Sequence, residues 1–148
     1  MAPSPNIPAR RLKNGALTTW EVAGIRLLSN AVAAQALRFA ADGGVTCLVG
    51  RTSLVRAEIL KAQEFQDAIT NEKWVGVALN SGDDAFITRW LLENDWKFSI
   101  QNAPEAAVVT AIMDDSKLVK QLLRWRRNEV KGAYHTLFGK VGTRKLCR

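Results

Sequence analysis

Residues 114–131 read DDSKLVKQLLRWRRNEVK and form the most informative stretch of the chain. Two aspartates and a serine suited to capping precede apolar side chains at helical spacing, which predicts a helix ending near Lys131. Gln121, Arg124 and Trp125 share an arc roughly 100° wide beside the apolar stripe of this helix. An arginine fork suits phosphate oxygens and an indole stacks on a ring, so this arc suits a phosphorylated sugar. The alternative is that Trp125 belongs to the core and the arginines form a solvated face.

Two further segments hold polar groups where a strand or turn meets a helix. Residues 82–84 read GDD, and a carboxylate of Asp83 or Asp84 can act as a general base, although N-capping explains the same residues. Gly50 and Arg51 lie between a predicted strand and a predicted helix, where backbone N–H groups can receive an oxygen-rich ligand. A helix cap at Thr52 or Ser53 explains this second segment equally well. The lone His135 is assigned no role.

The order of elements favours an α/β fold. Thr18 and Glu21 have the capping-box spacing, which predicts a helix from there to about Ala41, stopped by DGG at residues 42–44. The other predicted elements are a buried strand over 45–49, a helix over 53–65, an irregular stretch over 66–82, a helix from Asp83 to about Asn94, and short strands over 97–101 and 106–113.

Composition and charge exclude several classes of protein. The 148 residues are 47% hydrophobic and 24% charged, which fits one globular domain and excludes collagen and coiled coils. Cys47 and Cys147 are far apart, which predicts neither a zinc site nor a disulfide framework and favours a reducing compartment. The net charge of +7 is concentrated in residues 117–148, which hold ten lysines or arginines and one acid. This basic end predicts an anionic partner such as phosphate, nucleic acid or lipid headgroups.

The start of the chain is neither a signal peptide nor a helix by its pattern. Residues 1–14 carry three of the four prolines and no apolar core, so we predict a flexible arm. Outside this arm, the longest uncharged apolar-rich stretch covers residues 27–37, whereas a membrane span needs about 20 apolar residues. The chain as written is therefore expected not to cross a bilayer.

Three motifs occur in one order: Gly50-Arg51-Thr52 with Arg56, then Ser81-Gly82-Asp83-Asp84 with Thr88-Arg89-Trp90, then Gln121-Leu122-Leu123-Arg124-Trp125. Together they resemble the family-2 glycosyltransferases that act as processive polysaccharide synthases, the group of cellulose, chitin and hyaluronan synthases. The last motif has the family's full Q-x-x-R-W form. The segments DGGV, GRTSL and DDAFITRW are most similar to the fungal membrane branch of this family, and the resemblance covers roughly residues 15–138.

The resemblance implies an α/β, GT-A-like nucleotide-diphospho-sugar transferase domain. Of that domain, residues 15–138 would be the acceptor-side half with its interface helix, and residues 139–148 a basic tail. The implied reaction moves a hexose from a UDP-sugar donor to a growing polysaccharide at a membrane. Asp84 would be the general base that deprotonates the acceptor hydroxyl, and Asp83 would support it.

The resemblance also implies the substrate-binding residues. Gln121 and Arg124 would contact the nucleotide diphosphate, where arginine offsets charge developing on the leaving group. Trp125 would line the acceptor site against the sugar ring. Gly50 would border the acceptor terminus, with Arg51 beside it in the substrate-binding set.

The sequence departs from the family pattern in two respects. The D-x-D step that holds Mg²⁺ or Mn²⁺ is absent, and the nearest form is Glu93-Asn94-Asp95. The family's transmembrane helices are also absent, so the chain as written would be cytoplasmic although the family is membrane-bound. We therefore predict a chain that neither binds nucleotide-sugar tightly nor turns over alone, as a truncated fragment of a membrane synthase.

Two other classes of function remain open from the sequence. One is a basic module that binds anionic surfaces or nucleic acid, although no RRM, KH or zinc pattern indicates a specific nucleic-acid reader. The other is a degenerate copy, or a non-catalytic partner that associates with a complete synthase through its apolar surface.

Overall fold

The computed structural model describes residues 9–10, 16–50, 52–78, 82–101, 103, 105, 108, 110–112 and 115–138. These residues form a mixture of helices and short strands. In chain order the elements are β1 (Ala9–Arg10), α1 (Thr19–Asp42), α2 (Ala57–Lys61), α3 (Gln63–Thr70), β2 (Lys73–Trp74), β3 (Val77–Ala78), α4 (Asp83–Glu93), β4 (Thr110–Ala111) and α5 (Lys117–Phe138).

Helix α1 confirms the capping-box prediction. The Thr18 hydroxyl accepts the Glu21 N–H at 3.2 Å, and the Glu21 carboxylate accepts the Thr18 N–H at 2.8 Å. Gly43 ends the helix in the left-handed conformation with φ 72°, and its N–H donates to the Phe39 carbonyl. Both ends of α1 are therefore set by local sequence signals.

The predicted strand over 45–49 is wrong, because side chains satisfy its backbone groups. The buried Leu48 N–H donates to the Thr88 hydroxyl at 2.7 Å, and the Gln35 amide donates to the Cys47 carbonyl at 3.0 Å. These contacts from α4 and α1 take the place of a partner strand. The segment packs Val45 and Leu48 into the core.

The predicted helix over 53–65 is wrong in its bounds. It begins later, at Ala57, and breaks at Ala62, whose extended backbone with ψ 127° separates α2 from α3. Helix α3 then runs to Thr70, inside the stretch predicted to be irregular. That stretch also contains the antiparallel pair β2–β3, joined by Val75 and Gly76, which both have positive φ.

Helix α4 ends at Glu93 with Asn94 as its C-cap, close to the predicted end, but neither aspartate is its N-cap. Gly82 is the N-cap residue with φ 88°, no side chain caps the helix, and Asp83 and Asp84 lie in the first turn. Carboxylates in a first turn still favour the helix, because they face the positive end of its dipole.

The predicted strands over 97–101 and 106–113 are wrong or much shorter than expected. Residues 97–101 form no strand, and in the described part of 106–113 only Thr110–Ala111 is a strand. It pairs in parallel with β1, which lies inside the predicted arm. Helix α5 runs past the predicted end at Lys131 to Phe138.

Several predictions fall on residues outside the described ones. Apart from β1, most of the predicted arm is not described, and neither is the basic tail over 139–148. The two boundaries between the three predicted segments therefore stay predictions. Within the described ranges, no helix combines the length and the hydropathy needed to cross a bilayer.

The main core holds α4 firmly in place. Its buried members are Val45, Leu48, Ile59, Phe65, Phe86, Leu91 and Phe98. Phe65 of α3 meets the rings of Phe86 and Trp90 edge-on, with centroid distances of 6.1 and 5.1 Å. Because the buried face of α4 is anchored in this way, the position of its first turn is well defined.

Candidate active site

The first turn of α4 carries two carboxylates. Asp83 is exposed and Asp84 is half-buried. The Asp84 carboxylate accepts the N–H of Ala85 at 2.8 Å, which fixes one of its oxygens. The glycine before them has no room for a side chain, because a Cβ on Gly82 would lie 2.8–2.9 Å from the amide atoms of Asn128.

The turn at Gly50 lies directly against Asp84, so two predicted site residues meet. A Cβ on Gly50 would stand 3.2 Å from both the Cβ and one carboxylate oxygen of Asp84. Glycine therefore lets the backbone of this turn approach the Asp84 carboxylate closely. Two residues on, the Thr52 hydroxyl oxygen is buried and has no hydrogen-bond partner in the described part of the chain. Arg51 lies outside the described residues.

Thr88 ties the carboxylate turn to the segment that carries Gly50. Its hydroxyl donates to the Asp84 carbonyl at 2.7 Å and accepts the Leu48 N–H at the same distance. The residue is only 1% exposed, so water does not compete for these bonds. The bonds hold α4 and the segment that carries Gly50 in one fixed arrangement.

Cys47 lies beside this arrangement as a protonated thiol. Burial raises its pKa to about 12, and the negative charge of Asp84 adds to the rise. Its thiol donates to the Leu48 carbonyl at 3.3 Å. A thiol with so high a pKa is a poor nucleophile at neutral pH, which argues against a covalent role.

The predicted trio on α5 divides between two environments. Gln121 and Trp125 are half-buried and line a cavity of about 60 Å³ between α1 and α5, whereas Arg124 is exposed. In the described residues, no hydrogen bond or ion pair joins Arg124 to either aspartate of α4. The other residues that line the cavity are Gly24, Leu27, Leu28, Ala111, Ile112, Leu118 and Leu122.

Asn128 makes the contact between α5 and the start of α4, and the sequence reasoning missed it. It follows Arg124 by one helical turn and Gln121 by two, so the spacing that selected Gln121 also places Asn128 on nearly the same face. Its amide rests on Gly82 and is half-buried. The Q-x-x-R-W helix therefore touches the carboxylate turn through a residue outside the motif.

A buried ionic cluster near this contact was also missed. Glu72 accepts from Arg89 at 2.5 Å and from the Lys131 ammonium through the same oxygen. His135 lies one turn beyond Lys131, with its ring 5.7 Å from that of Trp74. Burial lowers the pKa of His135, and the positive charges of Arg89 and Lys131 lower it further.

The described residues do not fit the divalent metal that the resemblance implied. In the described ranges, no three His, Cys, Asp or Glu side chains come together as ligands. Asp83 and Asp84 supply two carboxylates only, and Glu93 of the nearest acidic step lies 4.0 Å from the guanidinium of Arg89. No step of the reaction is therefore assigned to a metal held by these residues.

Comparison with known proteins assigns the chain to a protein family. Residues 11–128, well over half of the chain, match a family described as glycosyltransferase like family 2. The chain is 37% identical over 145 residues to the NDP-glycosyltransferase ltbB of Aspergillus luteorubrus, which covers 98% of this chain and 36% of that protein.

Two relatives named type 2 glycosyltransferase are similar over a shorter stretch. The protein from Zymoseptoria tritici is 41% identical over 97 residues, covering 66% of this chain and 21% of that protein. The protein from Gibberella zeae is 41% identical over 87 residues, covering 59% of this chain and 16% of that protein. The chain thus spans about a third or less of the length of these relatives.

Proposed function

The chain belongs to the glycosyltransferase-like family 2, and from this premise we propose that it supplies the acceptor side of a sugar-transfer site. The family implies a GT-A-like nucleotide-sugar transferase fold, with a nucleotide-sugar donor and an acceptor as substrates. We propose that the donor is a UDP-sugar and that the acceptor is a growing polysaccharide at a membrane. The sequences of the three motifs support this choice, and the relative named NDP-glycosyltransferase agrees with a nucleoside-diphosphate donor.

The contact between Gly50 and Asp84 is the observation that carries this proposal. A general base needs an ionisable group beside an open surface where the acceptor hydroxyl can lie within hydrogen-bond reach. Asp84 offers a half-buried carboxylate, and Gly50 leaves the neighbouring surface free of a side chain. The N–H of Ala85 holds one carboxylate oxygen and Thr88 holds the backbone carbonyl of the same residue, so the position of Asp84 is set before the substrate binds.

The proposed reaction is a displacement at the anomeric carbon of the donor sugar. The acceptor oxygen forms a bond to that carbon while its proton moves to the Asp84 carboxylate. The bond from the anomeric carbon to the diphosphate oxygen breaks, and the nucleoside diphosphate leaves with the electron pair. Asp83, exposed in the same turn, supports Asp84 in this proposal.

In this proposal, residues of α5 bind the diphosphate of the donor and the sugar ring of the acceptor. Arg124 is exposed, so its guanidinium is available to the diphosphate and offsets the charge that develops there. Trp125 borders the cavity between α1 and α5, and its indole suits the acceptor sugar ring. Gln121, on the same border, is proposed to contact the diphosphate together with Arg124. Arg51 remains a proposed neighbour of the acceptor terminus.

A chimaera tests whether this chain supplies the acceptor side. The chain replaces the matching segment of the Aspergillus luteorubrus NDP-glycosyltransferase, and transfer is measured as nucleoside diphosphate released in the presence of acceptor. We expect the chimaera to transfer sugar and the isolated 148-residue chain to release none. Transfer from a UDP-sugar by the isolated chain would contradict the half-site proposal. A folded chimaera without transfer, beside an active parent, would contradict the acceptor-side assignment.

A further inference from the structure

One buried carboxylate holds two helices together. Glu72, which directly precedes β2, accepts from Arg89 of α4 at 2.5 Å and from Lys131 of α5. The three side chains are only 10%, 18% and 9% exposed, so solvent screens the cluster weakly. A second acid, Glu93 of α4, lies 4.0 Å from Arg89, and its charge also reaches His135 of α5.

The cluster lies beside the contact that forms the candidate site. Lys131 follows Asn128 by one turn on α5, and Arg89 follows Asp84 by little more than one turn on α4. The Asn128 amide touches Gly82. The two helices therefore meet at the carboxylate turn and again at the ionic cluster, and both contacts decide how α5 lies against Asp84.

Removal of the shared carboxylate would turn this second contact into a repulsive one. Arg89 and Lys131 share one oxygen of Glu72, so the two cations are close to each other. Like charges in a poorly solvated place repel more strongly than in water. Among the ion pairs of the described residues, Glu72 alone bridges Arg89 of α4 and Lys131 of α5, whereas Glu93 pairs with Arg89.

We propose that Glu72 is a positioning residue for sugar transfer, holding the helix of Asp83 and Asp84 against the helix of Gln121, Arg124 and Trp125. Glu72 contacts no reacting atom in this assignment and acts through Arg89 and Lys131. The functional meaning of the positioning rests on the function proposed above. The positioning itself is a property of the folded chain and is measurable without sugar transfer.

Cys47 provides a local probe of this arrangement. The negative charges of Asp84 on α4 and Glu129 on α5 both raise the pKa of its thiol. Its pKa of about 12, against an ordinary value of 9.0, keeps the reactive thiolate scarce. Each unit by which the pKa falls raises the thiolate fraction about tenfold at a pH well below the pKa. If α5 moves away and water enters, alkylation of Cys47 therefore accelerates.

The experiment measures alkylation of Cys47 by iodoacetamide between pH 7.5 and 10 in the full chain carrying Cys147→Ser. The two test variants are Glu72→Gln, which removes the carboxylate, and Lys131→Met, which releases α5 but leaves the Glu72–Arg89 pair intact and so protects folding. Matched controls are Glu58→Gln, in an ion pair 62% exposed, and Lys120→Met at an exposed position of α5. Circular dichroism confirms that each variant is folded.

We expect both test variants to react at least tenfold faster than the parent at each pH, while both controls match the parent. The rate should not change with urea below the unfolding transition, because the opening is local. Parent-like rates in the folded variants would overturn the proposal. Acceleration that grows with urea as steeply as global unfolding would also overturn it, since Glu72 would then stabilise only the whole fold. Because no sugar is transferred, this outcome is independent of the chimaera experiment.

Discussion

Gly82→Ala tests the contact between α5 and the carboxylate turn, and its cost has two separable parts. The first is backbone strain, because Gly82 has φ 88° and a residue with a Cβ in the left-handed region costs roughly 1–2 kcal/mol. The second is steric, because the new Cβ would lie 2.8–2.9 Å from the Asn128 amide. Overpacking of this kind costs about 1–3 kcal/mol.

Gly43→Ala isolates the first part. Gly43 has φ 72°, and no atom lies within 4 Å of its hypothetical Cβ, so this control bears strain without a clash. We therefore expect Gly82→Ala to lower the free energy of unfolding by about 2–5 kcal/mol in total, at least about 1 kcal/mol more than Gly43→Ala. Both changes alter the unfolded chain in the same way, so that effect cancels in the comparison.

Urea unfolding followed by circular dichroism measures each variant, together with Asn128→Ala and the double variant Gly82→Ala/Asn128→Ala. In the Asn128→Ala background, Gly82→Ala should lower the free energy of unfolding by about as much as Gly43→Ala does, roughly 1–2 kcal/mol, because only the backbone strain remains. If Gly82→Ala costs no more than Gly43→Ala, or if Asn128→Ala recovers nothing, α5 does not rest on the carboxylate turn and the site geometry is wrong.

Three further predictions concern single side chains. Thr88→Val leaves the buried Leu48 N–H without its acceptor and should lower the free energy of unfolding by about 1–3 kcal/mol in urea titrations; no change would contradict the link between the two segments. Thr18→Ala removes the cap that accepts the Glu21 N–H, which should cost about 1 kcal/mol by the same assay, whereas Thr46→Ala at an exposed loop position should cost little. Because the pKa of His135 is lowered from 6.5, the unfolded chain binds more protons than the folded one, so stability should fall as the pH drops below about 6.5; His135→Gln should remove that slope, and an unchanged slope would refute the assignment.

The sequence correctly predicted the helix whose two ends are set by residues close to them in sequence. Helix α1 begins at a capping box and ends at a left-handed glycine, and both signals lie within a few residues of the ends. The apolar run over 45–49 carries no such signal. Whether it becomes a strand depends on Thr88, which is 40 residues away from Leu48 and supplies the hydrogen bond that a sheet would have supplied. A distant partner of this kind has no local signature.

The motifs of the site could be found from the sequence, whereas the contacts between its residues could not. Gly50 and Asp84 were selected by resemblance, and the structure brings them together. The roles given to Asp84, Gln121, Arg124 and Trp125 stay predictions. Glu72 could not be found from the sequence, because its partners lie 17 and 59 residues away and many exposed charges look the same in sequence.

The central claim is that Asp84 is the base of sugar transfer, and substitution in the chimaera tests it most directly. The measurement is the rate of sugar transfer by chimaeras carrying Asp84→Asn, Asp83→Asn or the exposed control Asp67→Asn. Loss of a general base removes about 10²–10⁴ in rate, so we expect Asp84→Asn to lose at least about a hundredfold. Asp83→Asn should lose less, and Asp67→Asn should match the parent. A folded Asp84→Asn chimaera that keeps transfer within a few fold of the parent would contradict the account.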